Sequence, residues 1–166
     1  MRSRSSRQCR EDNLYHLRLA IDDGKIRHEA LRHPMKRELT ITTEPIHETA
    51  LLAKRTMSDG MGAAVYFLGV VRGTEGAAAI SALEYETFQR MAEHQISLLF
   101  DELEKRWPIE SVRLVHRVGL VKAGAASLWI EVIAPHRGEA FGACQWLIDE
   151  MKRVAPIWKK PVPGAS

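Results

Sequence analysis

The stretch from Pro135 to Lys160, PHRGEAFGACQWLIDEMKRVAPIWKK, constrains the fold more than any other part of the chain. Phe141, Ala143, Cys144, Trp146, Leu147, Ile148 and Met151 recur at helical spacing, so one helix face must be buried. Polar residues cluster at both ends: His136 and Arg137 at the start, Lys152 near the end, Lys159 and Lys160 beyond Pro156. A buried helix is a rigid support, and cations held around an apolar platform suit an anionic, partly flat ligand.

The chain has 166 residues, enough for one domain with its own core. No apolar run approaches the roughly 20 residues that span a bilayer, so no membrane association is expected. The start, MRSRSSRQCR, lacks the apolar centre of a secretory signal, and acids follow too closely for a transit peptide. Cys9 and Cys144 sit in unlike contexts and make no disulfide framework. The expectation is a reducing, cytoplasmic setting.

The net charge of +3 is unevenly distributed. Residues 1–37 carry a balance of +5 and the remainder −2. The basic character belongs to an N-terminal arm, and the body is not a nucleic-acid-binding domain by charge. Residues 1–37 read as a basic extension, expected to be disordered apart from a short helix around Leu14, Leu17, Ala20 and Ile21. Residues 38–160 are the expected functional domain, and 161–166 a short tail. A body beginning at Met35 retains every expected element.

Within the body, Leu39–Thr43 reads as a strand, Glu48–Met57 as a helix, and Gly62–Val71 as a strand buried on both faces. Arg72–Ala78 reads as a Gly-containing loop and Ile80–Glu86 as a strand. Phe88–Trp107 is the longest helix, stopped by Pro108. Ser111–Val118 and Ser127–Ala134 are strands, and Glu139–Val154 is the last helix. Several joins are hairpin-like, which makes the fold class α+β, with a mixed or antiparallel sheet and packed helices.

Arg72, at the mouth of an apolar strand, is placed to bind an anion. His136 and Arg137 lie where a helix N-terminus favours anions. Trp158 is expected to pack down and pin Lys159 and Lys160. His116 and Arg117, in LVHRVG, form a further candidate pair, of which strand alternation turns one inward. No metal is expected: the His residues are scattered and no ligand spacing appears. Cys144 lies on an apolar face, where thiols are inert.

The segments FLGVVRG, ALEYETFQRMAE, HRVG, PHRGEAFGAC and MKRVAPIWKK, in that order, closely resemble the large, catalytic subunit of molybdopterin synthase, from about Leu39 to Lys160. The resemblance implies an α/β hammerhead fold and a homodimer of large subunits within a heterotetramer. Its implied partner is a small ubiquitin-like sulfur-carrier subunit with a C-terminal Gly-Gly thiocarboxylate. Its implied reaction is sulfur transfer to cyclic pyranopterin monophosphate, giving the molybdopterin dithiolene without a cofactor. The family's substrate-binding positions fall on Val70, Val71, Arg72, His136, Arg137, Lys152, Lys159 and Lys160, with Lys152 and Lys159 catalytic. His116 and Arg117 are then structural. Pro161 stands where the family often has an acid, and the chain ends at Ser166 where many members continue toward the partner subunit, which bears on dimer geometry. The rival reading is a non-enzymatic anion- or nucleotide-binding module using the same cations.

Overall fold

The structure, a computed structural model, describes residues 18–22, 25–29 and 34–164. It divides into two units, Met1–His33 and Pro34–Ser166. In the first, β1 (Arg18–Asp22) pairs antiparallel with β2 (Lys25–Glu29), Asp22 opposite Lys25. The helix expected through Ala20 and Ile21 is therefore corrected to a strand; Leu14 and Leu17 lie outside the described residues. Between the strands the sequence reads Asp23-Gly24, a strong short hairpin signal that outweighs the weak helical periodicity.

The second unit begins a few residues ahead of the domain start expected at Glu38. Met35 is buried and its backbone N–H donates to Glu104 Oε1 at 2.8 Å, while Arg37 pairs with Asp101 and Glu104. Residues 34–37 thus belong to the body.

Four strands make the main sheet, in the order β3 (Lys36–Thr42), β7 (Ser111–Arg117), β9 (Ala126–Ala134), β4 (Ala63–Val70). The β3–β7 pair is parallel and the others antiparallel. Helices α2 (Gln89–Arg106) and α3 (Arg137–Val154) contact this sheet and each other. Their core joins Ile96, Phe100 and Leu103 of α2 and Ala143, Leu147 and Met151 of α3 to Leu114, Ile130 and Val132 of the sheet. Both helices stop where a proline follows. Trp107 and Ala155 are extended because Pro108 and Pro156 exclude the helical conformation at the residue before them. Gly142 lets α3 approach this corner: a Cβ there would lie 3.2 Å from the indole nitrogen of Trp107.

A second, antiparallel sheet runs β10 (Ile157–Pro163), β6 (Ala78–Thr87), β5 (Thr74–Glu75), with β8 (Gly119–Lys122) also on β6. Val71, Ile80, Leu83 and Val121 form its small core.

The structure corrects further expectations, among them the Arg72–Ala78 loop, which holds β5, and Phe141, which is 62% exposed instead of buried. The strand buried on both faces is β9; β4 is an edge strand, with Tyr66 and Val70 exposed. The first helix, α1, spans only Glu48–Ala53, because its second half has no apolar face to bury. The segment after Pro156 is a strand; its Pro161 and Pro163 are tolerated because β10 lies at a sheet edge.

The face of the main sheet opposite α2 and α3 carries one buried ion pair. Arg113 Nε lies 2.7 Å from Glu131 Oε1, and Glu131 is 1% exposed. The same guanidinium stacks 5.0 Å from the Trp129 ring and donates to the Leu51 carbonyl at 2.8 Å, tying α1 to the sheet. Arg113→Met leaves a buried, unpaired carboxylate and is expected to cost about 3–5 kcal/mol in urea unfolding. Adding Glu131→Leu recovers most of that loss; a single variant within about 1 kcal/mol of wild type would contradict the assignment.

Candidate active site

Both sheets and the end of α3 meet around a cavity of about 670 Å³. Phe67, Leu68, Leu83, Leu128, Met151 and Ile157 supply its apolar lining, and Arg72, Lys152, Lys159 and Glu75 its charges.

The cavity begins with a break in β4. The β4–β9 register shifts between Gly69 and Val70, a bulge. Gly69 suits it: a Cβ there would meet Leu128 Cβ at 3.1 Å and Phe67 Cε1 at 3.3 Å. Past the bulge, Val70 lines the cavity, while Val71 turns inward and is 2% exposed. Val71 is bolted in place: its N–H donates to the Ala125 carbonyl at 3.0 Å, and its carbonyl accepts from Gly124 N–H at 2.8 Å. Arg72 then leaves a fixed backbone toward the cavity mouth.

Lys152 comes from the last turn of α3, next to the buried Met151. Among the described residues no carboxylate lies within 4.0 Å of its ammonium. Lys159 comes from β10, opposite Tyr85 of β6. Its ammonium lies 2.7 Å from Glu75 Oε1, and the Arg72 guanidinium 3.9 Å from Glu75 Oε2. The hydrogen bond from Lys159 holds the Glu75 carboxyl below the ordinary carboxylate range, with Lys159's charge and then Arg72's adding to it. Three cations and one acid thus line the cavity, and the acid is shared by two of them.

The remaining site candidates lie elsewhere. Lys160, one residue on, projects to the other face of β10 by strand alternation and pairs with Glu86 at 2.6 Å. Trp158 shares that outer face and is 57% exposed, so it does not pin the lysines; Glu75, Glu86 and the β6 ladder hold them. His136 and Arg137, both exposed, sit at the opposite end of α3 from Lys152. At about 1.5 Å per residue that separates Arg137 from Lys152 by about 22 Å.

Two cavity residues escaped the sequence reading. Glu75 was available as an acid three residues after Arg72 in a Gly-flanked loop, a spacing that only a closed hairpin makes meaningful. His116, set aside as structural, is buried in the cavity wall. Its Nδ1 lies 2.9 Å from the Arg117 carbonyl and must donate to it, which leaves Nε2 as the acceptor of a neutral ring. The ring meets Tyr85 edge-on at 5.5 Å. Tyr85 in turn donates to Ser127 at 3.2 Å, and Ser127 to the Gly69 carbonyl at 3.3 Å, linking the wall to the bulge. Arg117 points away and donates to the Thr43 carbonyl. Cys144 is buried against the core, which pushes its thiol up to about 11. No group of three His, Cys, Asp or Glu residues able to hold a metal occurs among the described residues.

The profile of the MoaE protein family matches residues 41–154, which include the bulge, His116 and all of α3. The chain belongs to the MoaE family. Among its relatives, the molybdopterin synthase catalytic subunit of Staphylococcus carnosus is 37% identical over 126 residues, 76% of this chain and 83% of that protein. That of Thermoplasma volcanium is 38% identical over 122 residues, 74% of this chain and 88% of that protein. The crystal structure of molybdopterin synthase from Staphylococcus aureus shares the fold with a TM-score of 0.68 at 32% identity, covering 81% of this chain and 96% of that chain. In this MoaE family member the cavity lies at the C-terminal end of α3, where the matched region gives way to β10.

Burial lowers the His116 pKa below its ordinary 6.5, so protonation favours the unfolded chain. Stability is expected to fall as pH drops through about 6.5 toward the lowered value, and to level off below it. His116→Phe removes that loss: urea unfolding at about pH 7.5 and about pH 5.5 should differ less in the variant than in wild type. An unchanged difference would show that the ring titrates as if exposed.

Proposed function

We propose that this chain is the catalytic subunit of a molybdopterin synthase. It transfers sulfur from the C-terminal thiocarboxylate of a small ubiquitin-like carrier subunit to cyclic pyranopterin monophosphate, forming the dithiolene. The observation that carries the reading is the cavity itself, in a MoaE family chain: an apolar lining wide enough for a flat heterocycle, with Arg72, Lys152 and Lys159 at its rim.

Each residue has a chemical task. Arg72 offers a planar fork of donors that matches phosphate, and Lys159 a compact charge beside it. Val70 presents an apolar surface next to Arg72, against which the pterin can lie. The attacking sulfur is already anionic in a thiocarboxylate, so no base must create it. Lys152 holds that group against the pterin and stabilises charge developing on the acyl oxygen as water cleaves the acyl–sulfur bond, leaving the sulfur on the pterin and freeing the carrier with a C-terminal carboxylate. It stands on a helix whose inner face is locked in the core, so the ammonium is preorganised.

His136 and Arg137 enter this reading through a second copy of the chain. About 22 Å of helix separates them from Lys152 within one copy, too far to share one small substrate. In a two-fold dimer the N-terminal end of one α3 can close the cavity of its partner. Each working site would then combine Arg72, Lys152 and Lys159 of one copy with His136 and Arg137 of the other. Lys160, on the outer face of β10 and paired with Glu86, has no part in holding the pterin in this reading.

The test is reconstitution: the purified chain, saturating thiocarboxylated carrier and cyclic pyranopterin monophosphate in a single turnover, with the two-sulfur product followed by mass spectrometry. Conversion by wild type is expected, and Lys152→Ala should slow it roughly 10²–10³-fold while carrier affinity measured by calorimetry stays near wild type. Substrate binding without any conversion by wild type would instead favour a binding module.

A further inference from the structure

Glu75 has no assigned part in the reaction, yet it occupies the most contested position in the cavity. Its carboxylate reaches both rim cations that the proposed function assigns to the substrate phosphate, Lys159 at 2.7 Å and Arg72 at 3.9 Å. We infer that Glu75 is an internal stand-in for the substrate's phosphate, which must displace it to bind. This rests on the reading of Arg72 and Lys159 as the phosphate site.

The geometry supports displacement over permanent pairing. One carboxylate satisfies Lys159 at full hydrogen-bonding distance and leaves Arg72 beyond it. A phosphate has three or more acceptor oxygens and up to two charges, so it can engage the ammonium and the guanidinium fork together. A monoanionic carboxylate ligand would only repeat what Glu75 already supplies. The stand-in therefore discriminates for phosphate against smaller monoanions.

Glu75 is also placed to move. It sits on β5, a strand of only two residues, in a hairpin held by the pairs Thr74–Ala79 and Glu75–Ala78. Gly76 at the turn has φ +61°, and a side chain at Gly73 or Gly76 would meet nothing within 4 Å. Among the described residues, the only backbone tie of 73–76 beyond the two strand pairs is the bond from Ile80 N–H to the Gly73 carbonyl at 3.0 Å. The carboxylate is partly exposed, so releasing it to water has a small cost. The lysine's anchor, by contrast, is the seven-residue β10 ladder on β6. On binding, the acid leaves and the cations stay.

The experiment uses inorganic phosphate as the probe, titrated calorimetrically into the full chain at fixed ionic strength. Glu75→Gln and Glu75→Ala should each bind phosphate about two- to fivefold more tightly than wild type, since an exposed competing pair is worth no more than that. Two variants are needed because a glutamine amide could itself donate to phosphate, whereas alanine cannot. In a Lys159→Ala background, Glu75→Ala should gain less than about twofold, because the competition runs through that lysine. Glu86→Gln, which frees Lys160 outside the cavity, should leave phosphate affinity unchanged. Equal or weaker phosphate binding by both Glu75 variants overturns the inference, as does an undiminished gain in the Lys159→Ala background. Neither outcome depends on sulfur transfer. Tighter phosphate binding in a chain that never sulfurates the pterin would leave the stand-in established and remove the synthase reading.

Discussion

Helix α3 cannot rotate, and the cavity depends on that. Ala140, Ala143, Cys144, Leu147, Ile148 and Met151 are all buried, so one side of the helix is committed to the main sheet and α2 along its whole length. Interiors are packed too densely for the helix to slide or turn without opening voids. Once Met151 is seated, the direction of Lys152 follows, about 100° further round the helix. Pro156 then ends the helix and sends the chain onto β6, which decides where Lys159 emerges. Lys152 is thus aimed by core packing and Lys159 by the β10–β6 ladder, before any ligand is present.

The opposite wall is set by backbone instead of side chains. The bulge at Gly69 and Val70, and the paired hydrogen bonds of Val71 with Gly124 and Ala125, hold the exit of β4 while leaving Arg72 free at its tip. The cavity backbone is therefore fixed on both sides, and its acid stands on the two-residue strand β5. A rigid cationic rim with a movable counter-charge suits the proposed reaction, whose reactants are both anions. The rim attracts each in turn, and no group on it must gain or lose a proton to create the nucleophile.

The long, strongly patterned elements were legible in the sequence: α2 and α3 from their helical period and terminal prolines, β7 and β9 from β-branched runs. The short strands β5, β8 and β10 were not, because their existence depends on what they pair with and less on their own residues. Missing β10 had a direct consequence for the site. Without knowing that Ile157–Pro163 is extended, nothing distinguishes Lys159 from Lys160, and strand parity sends one into the cavity and the other away from it. The rim cations Arg72, Lys152 and Lys159 were readable as charges set against apolar runs. Glu75 was not, because it acquires meaning only when the β5–β6 hairpin folds it back on Arg72. The distance between His136 and Lys152 was implicit in the helix length, since both ends of one straight helix cannot touch one small molecule.

In the proposed enzyme, a working site would draw its cations from two copies of the chain. Intersubunit complementation tests this most directly. Lys152→Ala and His136→Ala are purified separately, each nearly inactive in sulfur transfer, then mixed in equal amounts and allowed to exchange subunits. If sites are shared, half the dimers are mixed and one of the two sites in each is intact, so activity should return to roughly a quarter of wild type. A mixture no more active than the sum of its two components would contradict the shared site.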